Sequence, residues 1–353
     1  MKTTKLFLSS IVCALTFTLF MACSASSDAD PGNEETVKSV EIKKDKDGDI
    51  IFTGEVVKFT VIANGGINVT TSATIYVNGD KISGDSFKPT TAKAYEVKAI
   101  YKNVTSKNKL NLTCEAKGAT FQKNVVVEDY TGAWCGWCPR VSHALKLVSD
   151  KTSNMIPIAA HIGDNMENKY SKELAKAFDV KGYPTAYVDR AKLWSSPEPQ
   201  NTAEILNLIK DNAVLGIKME STLNGTDMNL KVSVKFGNTY AGKLKLTVFA
   251  LEDGIVLSQK NYTSYYGGAS DIADFKHNYI LRHSFTSVLG DEIDSKETVK
   301  DNVYTKEFKG SVPSTIKDSS KMSFVAIVSN GDTKAAINSR SAKVSTSNNF
   351  EVK

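Results

Sequence analysis

Two cysteines stand three positions apart in Trp134-Cys135-Gly136-Trp137-Cys138-Pro139. Such a pair can close into a disulfide and open again to a dithiol. A strand-like run, Val125-Val126-Val127-Glu128-Asp129-Tyr130, leads into it, and a helical pattern follows. A helix N-terminus favours the first sulfur as a thiolate, and the thiolate is the species that attacks other disulfides. Arg140 adds positive charge at the same end, and Pro139 is tolerated where the first-turn N–H has no intrahelical acceptor. The chemistry on offer is thiol–disulfide exchange with protein thiols and disulfides, which needs no organic cofactor and no metal.

The elements that must position the pair alternate between strand and helix over residues 118–215. After the 125–130 strand, Val141, Ala144, Leu145 and Val148 form a helical stripe. Residues 155–162 read as a buried strand, 170–178 as an amphipathic helix and 185–188 as another strand, and Ile205, Leu208 and Ile209 mark a closing helix. This is a three-layer α/β pattern.

Both flanks read as β. In residues 37–117, Tyr95, Val97, Ala99 and Tyr101 share one strand face, and Asn64-Gly65-Gly66 and Asn78-Gly79-Asp80 signal turns. Strands this short at this spacing suggest an immunoglobulin-like sandwich. In residues 216–353, Leu230, Val232, Val234 and Phe236 alternate with polar residues, as do Leu244, Leu246, Val248 and Ala250. Asp253-Gly254 and Asn330-Gly331 read as hairpin turns around a second β-sandwich. The expected fold is multi-domain, α/β plus β, with the α/β module between two β domains.

Residues 1–22 read as a secretory signal: Lys2 and Lys5, then an apolar stretch ending in small residues. Leu19-Phe20-Met21-Ala22-Cys23 resembles a bacterial lipoprotein cleavage site, which implies lipidation of Cys23 and a membrane partner held through the acyl chains. Residues 23–36 suit a flexible tether. The formal charge of +5 falls to about +3 without Lys2 and Lys5, and no basic cluster stands out, so nucleic acid is not an expected partner. Of five cysteines, Cys13 leaves with the signal, Cys23 is acylated and Cys114 reads as a small buried hydrophobe on a strand face, which leaves Cys135 and Cys138.

A Trp directly before the pair, the segment Lys181-Gly182-Tyr183-Pro184-Thr185 downstream and an acid six residues before Cys135 together resemble the thioredoxin superfamily. The resemblance implies that Cys135 is the nucleophile, near the surface, and that Cys138, more buried, resolves the mixed disulfide. It implies a cis Pro184 facing the pair. Asp129, with Glu128 as the alternative, would shuttle a proton to or from Cys138. Trp134, Trp137, Tyr183 and Thr185 would contact substrate. The central Gly136-Trp137 departs from the usual Gly-Pro. The whole chain, with its Glu-Asp-Tyr-Thr-Gly and Cys-Pro flanks and His277-Asn278-Tyr279-Ile280-Leu281-Arg282, resembles the outer membrane protein 28 family of envelope lipoproteins from Bacteroides-type bacteria. That resemblance implies an outer-membrane location without settling an activity.

Weaker signals have plainer readings. His277 and His283 share a strand face on spacing alone and could ligate a metal if a carboxylate joined them, but a polar strand face or loop hydrogen bonding is the plainer reading, and Cys135 and Cys138 lack the second pair that structural zinc requires. His143 is read as solvent-facing and His161 as the end of a central strand. The aromatic run over residues 262–268 is read as an ordinary loop. The rival to exchange is a surface binding or adhesion lipoprotein that uses the α/β module as a scaffold and keeps its disulfide closed.

Overall fold

A computed structural model describes residues 36–353. The expected signal over 1–22, the lipidation site Cys23 and all but the last residue of the expected tether lie outside the described residues. The chain is mostly β with few helices.

The N-terminal region folds as two sheets around one apolar core. Val40–Lys44 pairs antiparallel with Val57–Ala63 in one sheet, and Ala94–Tyr101 lies between Leu110–Glu115 and Thr74–Val77 in the other. Period-two alternation explains the fit: Tyr95, Val97 and Ala99 point inward with Ile42, Phe59, Val61, Ile75 and Leu112. Cys114 is a free thiol, 3% exposed, in this core. The Asn78–Gly79 turn links Thr74–Val77 to Asp80–Lys81, with φ of 50° and 90° at its two residues, the left-handed geometry a two-residue hairpin demands.

The central strand, Val125–Thr131, is buried along all seven residues. It pairs parallel with Met155–His161 and antiparallel with Thr185–Val188. Its alternate residues serve different layers. Val125 and Val127 pack with Val141, Ala144, Leu145 and Val148 of the helix Pro139–Ser149, while Val126 and Tyr130 pack with Leu174 and Phe178 on the opposite face. The helix Lys169–Ala177 begins on a capping box between Asn168 and Ser171.

The sheet does not stop at residue 215. A parallel bridge between Ala159 and Ile280 joins Met155–His161 to Ile280–Ser284, which pairs with Leu244–Glu252; Met322–Asn330 and Ala336–Lys343 follow. The result is one nine-stranded sheet. Phe249, Leu251, Leu281, Val325 and Ile327 share a core with Val126, Ile156 and Ile158. On its other face, Leu244, Leu246, Val248 and Ala250 pack against a three-stranded sheet of Leu215–Asn224, Asp227–Phe236 and Val303–Ser311. Polar bonds add to the junction: the Asn124 N–H donates to Asn338 Oδ1 at 2.8 Å, and Ser339 Oγ donates to the Asn124 carbonyl at 3.0 Å.

Asp253-Gly254 is not the expected hairpin turn. Asp253 accepts from the Tyr279 N–H at 2.7 Å, and the following strand, Ile255–Val256, pairs with Lys276–His277 instead of returning along Leu244–Glu252. Gln259–Lys260 then pairs with Asp271–Ile272. Residues 255–277 therefore leave the sheet as a two-stranded ribbon, whose tip is folded by Asn261: its side chain donates to the Tyr265 and Ala269 carbonyls and accepts from the Thr263 N–H.

Candidate redox site

Cys135 and Cys138 are joined in a disulfide, with Cα atoms 5.4 Å apart. The strand Val125–Thr131 delivers the chain to a tight turn in which the Cys135 N–H donates to the Gly132 carbonyl at 3.0 Å, and Cys138 is the N-cap of Pro139–Ser149. Cys135 is 4% exposed and Cys138 1%. Cys135 is thus the more accessible sulfur, but it lies far less open than the sequence led us to expect. Trp134 and Trp137 flank it at about half exposure, 50% and 52%.

Trp134 is held in place. Its indole N–H donates to the Ile162 carbonyl at 2.7 Å, and its ring meets Tyr183 edge-on at 5.7 Å. The Tyr183–Pro184 peptide is cis. Thr185 pairs with Tyr130 at the end of the central strand, and its hydroxyl donates to the Gly182 carbonyl at 2.7 Å, so that proton serves the loop. The ring contact thus ties the residue before Cys135 to the residue before the cis Pro184, and Thr185 follows in the strand Thr185–Val188.

The neighbouring acids Glu128 and Asp129 have opposite surroundings. Glu128 faces the second layer, where Arg190 binds its carboxylate at 2.8 Å, and both side chains are almost wholly buried, at 0% and 1% exposure. Asp129 faces the redox helix. It is 2% exposed, and its Oδ1 has no hydrogen-bond partner among the described residues. Burial, with the charge of Glu198 adding to it, raises its pKa well above the ordinary carboxylate value. Asp129 is therefore the acid whose surroundings favour the protonated form, and Glu128 is an ion-pair partner.

Arg140 is not free to favour a thiolate. Its Nε and Nη2 hold Glu198 at 2.5 and 3.3 Å, which neutralises much of the charge expected at the helix start. Nothing local in the sequence pointed to Glu198, which lies 58 residues away.

The sequence also missed the ribbon. The Lys260 N–H donates to the Ala133 carbonyl at 2.8 Å and the Tyr262 N–H to the Gly136 carbonyl at 2.7 Å. The Gln259 amide donates to the Gly132 and Cys135 carbonyls at 3.3 and 3.0 Å. Tyr262 lies edge-on to Trp137 at 5.9 Å and fills the space beside Gly136, where a Cβ would come within 2.4 Å of its ring. Tyr265 stacks on His143 at 4.0 Å. The aromatic run at 262–268, read as an ordinary loop, is the tip that clamps the redox turn. Its cluster of tyrosines was the one available signal.

His161 Nδ1 contacts Asp164 at 2.7 Å and its ring stands 5.0 Å from that of His277. Burial opposes ionisation of Asp164, but hydrogen bonds from His161 and from the Ala133 and Met166 N–H groups outweigh it and lower the pKa. His277 is pushed down to about 4 by burial and by His161. His283 packs instead on Tyr170 and Phe285, so the two histidines do not form one site. Among the described residues, no three His, Cys, Asp or Glu side chains gather as a metal would require, and no helix is long and apolar enough to cross a membrane.

The sequence profile of the outer membrane protein Omp28 family matches residues 171–348, half of the chain. The chain belongs to the Omp28 family. This Omp28 protein is accordingly a protein of the outer membrane. The thioredoxin profile matches residues 108–211, so the two matches overlap over residues 171–211. No curated protein matches the chain. Among solved structures, HBP35 of Porphyromonas gingivalis shares the fold at 19% identity and a TM-score of 0.52, over 64% of this chain and 76% of that one. A domain of the outer membrane lipoprotein Omp28 from the same organism aligns at 18% identity and a TM-score of 0.25, over 37% of this chain and 88% of that one.

Proposed function

We propose that this Omp28 protein is a lipoprotein anchored through Cys23 that exchanges thiols and disulfides with client proteins of the cell envelope. One arrangement supports the reading: a disulfide at the N-terminus of the helix Pro139–Ser149, a cis Pro184 whose preceding Tyr183 packs on Trp134, and a buried Asp129 of raised pKa on the strand that leads to the pair. In the reduced protein the Cys135 thiolate attacks a client disulfide. One client sulfur joins Cys135, and the other leaves as a thiolate. Asp129 takes the Cys138 proton, and Cys138 attacks Cys135 to close the internal disulfide and free the second client sulfur. Two electrons pass to the client; the reverse sequence oxidises a client dithiol. The N-terminal sandwich is read as an immunoglobulin-like spacer between the anchor and the redox site.

A second reading, a permanently closed disulfide in a binding scaffold, is favoured by the ribbon's bonds to the redox turn and by the 4% exposure of Cys135. Insulin reduction and redox equilibration with glutathione separate the two. Exchange predicts a potential of roughly −270 to −120 mV and complete loss of insulin reduction in Cys135→Ser. A pair that reacts only after global unfolding supports the scaffold and sinks the exchange reading.

A further inference from the structure

Behind the redox helix lies a cavity of about 500 Å³, within the roughly 300–1,000 Å³ of ordinary small-molecule sites. Asp129 lines it from the central strand, His161 from the neighbouring strand, and Tyr266, Phe275 and His277 from the ribbon. Two halves of the molecule thus contribute to one partly open cavity that the exchange chemistry does not use as a substrate groove.

The lining is rich in acceptors. Asp129 Oδ1 is buried without a partner among the described residues. His277 Nε2 contacts the Leu257 carbonyl at 3.1 Å; a carbonyl can only accept, so Nε2 carries the hydrogen and Nδ1 of the neutral ring is a bare acceptor. The Gln259 amide hydrogens are already used on backbone carbonyls. Of the two lysines in the lining, Lys146 is bound to Asp150 at 2.8 Å, and exposed Lys276 shares the lining with Asp274. The rings of Tyr266 and Phe275 meet edge-on at 5.2 Å, and Phe275 meets His277 at 4.8 Å, giving an aromatic wall.

We propose that this cavity binds a small organic ammonium ion, a primary amine on an apolar or aromatic body, with its nitrogen on Asp129 and its body against Tyr266 and Phe275. An ammonium group supplies three donors and a positive charge, which suit the unpartnered Asp129 Oδ1 and the His277 Nδ1 acceptor. Aromatic faces attract such cations, and a neighbouring cation lets the buried carboxyl ionise. A purely apolar guest would leave Asp129 unpaired, which is costly in a low-dielectric space. Because seven of the lining residues sit on the ribbon, occupancy also braces the ribbon against the redox helix. The inference does not rest on the exchange reading.

The test is calorimetric titration of the full chain with 2-phenylethylamine hydrochloride, and with 2-phenylethanol as its uncharged counterpart. The protein carries Cys135→Ser and Cys138→Ser, so a failure of exchange chemistry cannot affect the result. We expect saturable one-to-one binding of the amine and at least about tenfold weaker binding of the alcohol. Asp129→Asn is expected to weaken the amine by more than about tenfold, and Tyr266→Ala, on the exposed ribbon tip, by several-fold. The proposal is overturned if the amine shows no saturable binding up to about 10 mM, if the alcohol binds equally well, or if Tyr266→Ala leaves amine binding unchanged.

Discussion

The N-terminal sandwich and the block that holds the candidate redox site are both rich in strands, but they are assembled on opposite principles. The sandwich closes its own core, and it meets the rest through a few polar bonds at residues 115–118, such as the Gly118 N–H to Asn238 at 2.7 Å and Lys300 to the Ala116 carbonyl at 2.9 Å. The block has no such seam. Its nine-stranded sheet and one of its cores draw on residues from both sides of position 215. Arg190, beside the thioredoxin-like strands, binds Glu128 and also donates to Thr247 and to the Val288 carbonyl. The lesson is that a sequence boundary between two patterns is a folding boundary only where the core also divides.

The largest test of that contrast is to cut the chain in two places. Residues 118–353 alone are expected to fold cooperatively, whereas 118–215 alone is expected to remain unfolded by circular dichroism and proteolysis, because it loses the apolar partners Phe249, Leu281, Val325 and Ile327. A folded 118–215 fragment would dissolve the distinction. Next comes the buried ion pair. Arg190→Met strands Glu128 as an unpaired buried charge and should cost about 3–5 kcal/mol in urea unfolding of 118–353, with much of it recovered by adding Glu128→Gln. A change below about 1 kcal/mol would mean that the pair does not hold the halves together.

The smallest effect concerns pH. His277 is held neutral in the fold, its pKa depressed to about 4 by burial and His161. The unfolded chain takes up that proton first, so stability is complete above the ordinary histidine value and falls as pH drops from 6.5 toward 4. The loss should be on the order of 2 kcal/mol, and His277→Gln should flatten that limb of a stability–pH curve. The N-terminal sandwich expressed alone has no histidine and should show no such limb.

Much of the redox face was legible from local pattern. The stripe Val141, Ala144, Leu145 and Val148 is the buried side of its helix, and strand alternation required that only one of Glu128 and Asp129 lie under the cysteines. Three things were not legible, for one shared reason: each depends on residues far apart in the chain. The sheet crosses from one half to the other on the single bridge of Ala159 to Ile280. Arg140 is neutralised by Glu198, and Cys135 is covered by a ribbon that begins 120 residues later. Asp253-Gly254 carries a sound hairpin signal, but Asp253 is engaged by Tyr279 and the next strand goes elsewhere.

Residues 351–353 lie beside the entry to the thioredoxin-like module: Gln122 donates to the Glu351 carbonyl, Phe121 bridges Val352, and Lys353 donates to the Thr120 carbonyl. These contacts span more than 200 positions of sequence. During synthesis the module leaves the ribosome well before the segment that packs beside its entry. Its cysteine pair therefore exists while the surrounding structure is still incomplete, and comes under the control of the finished fold only when the last residues arrive.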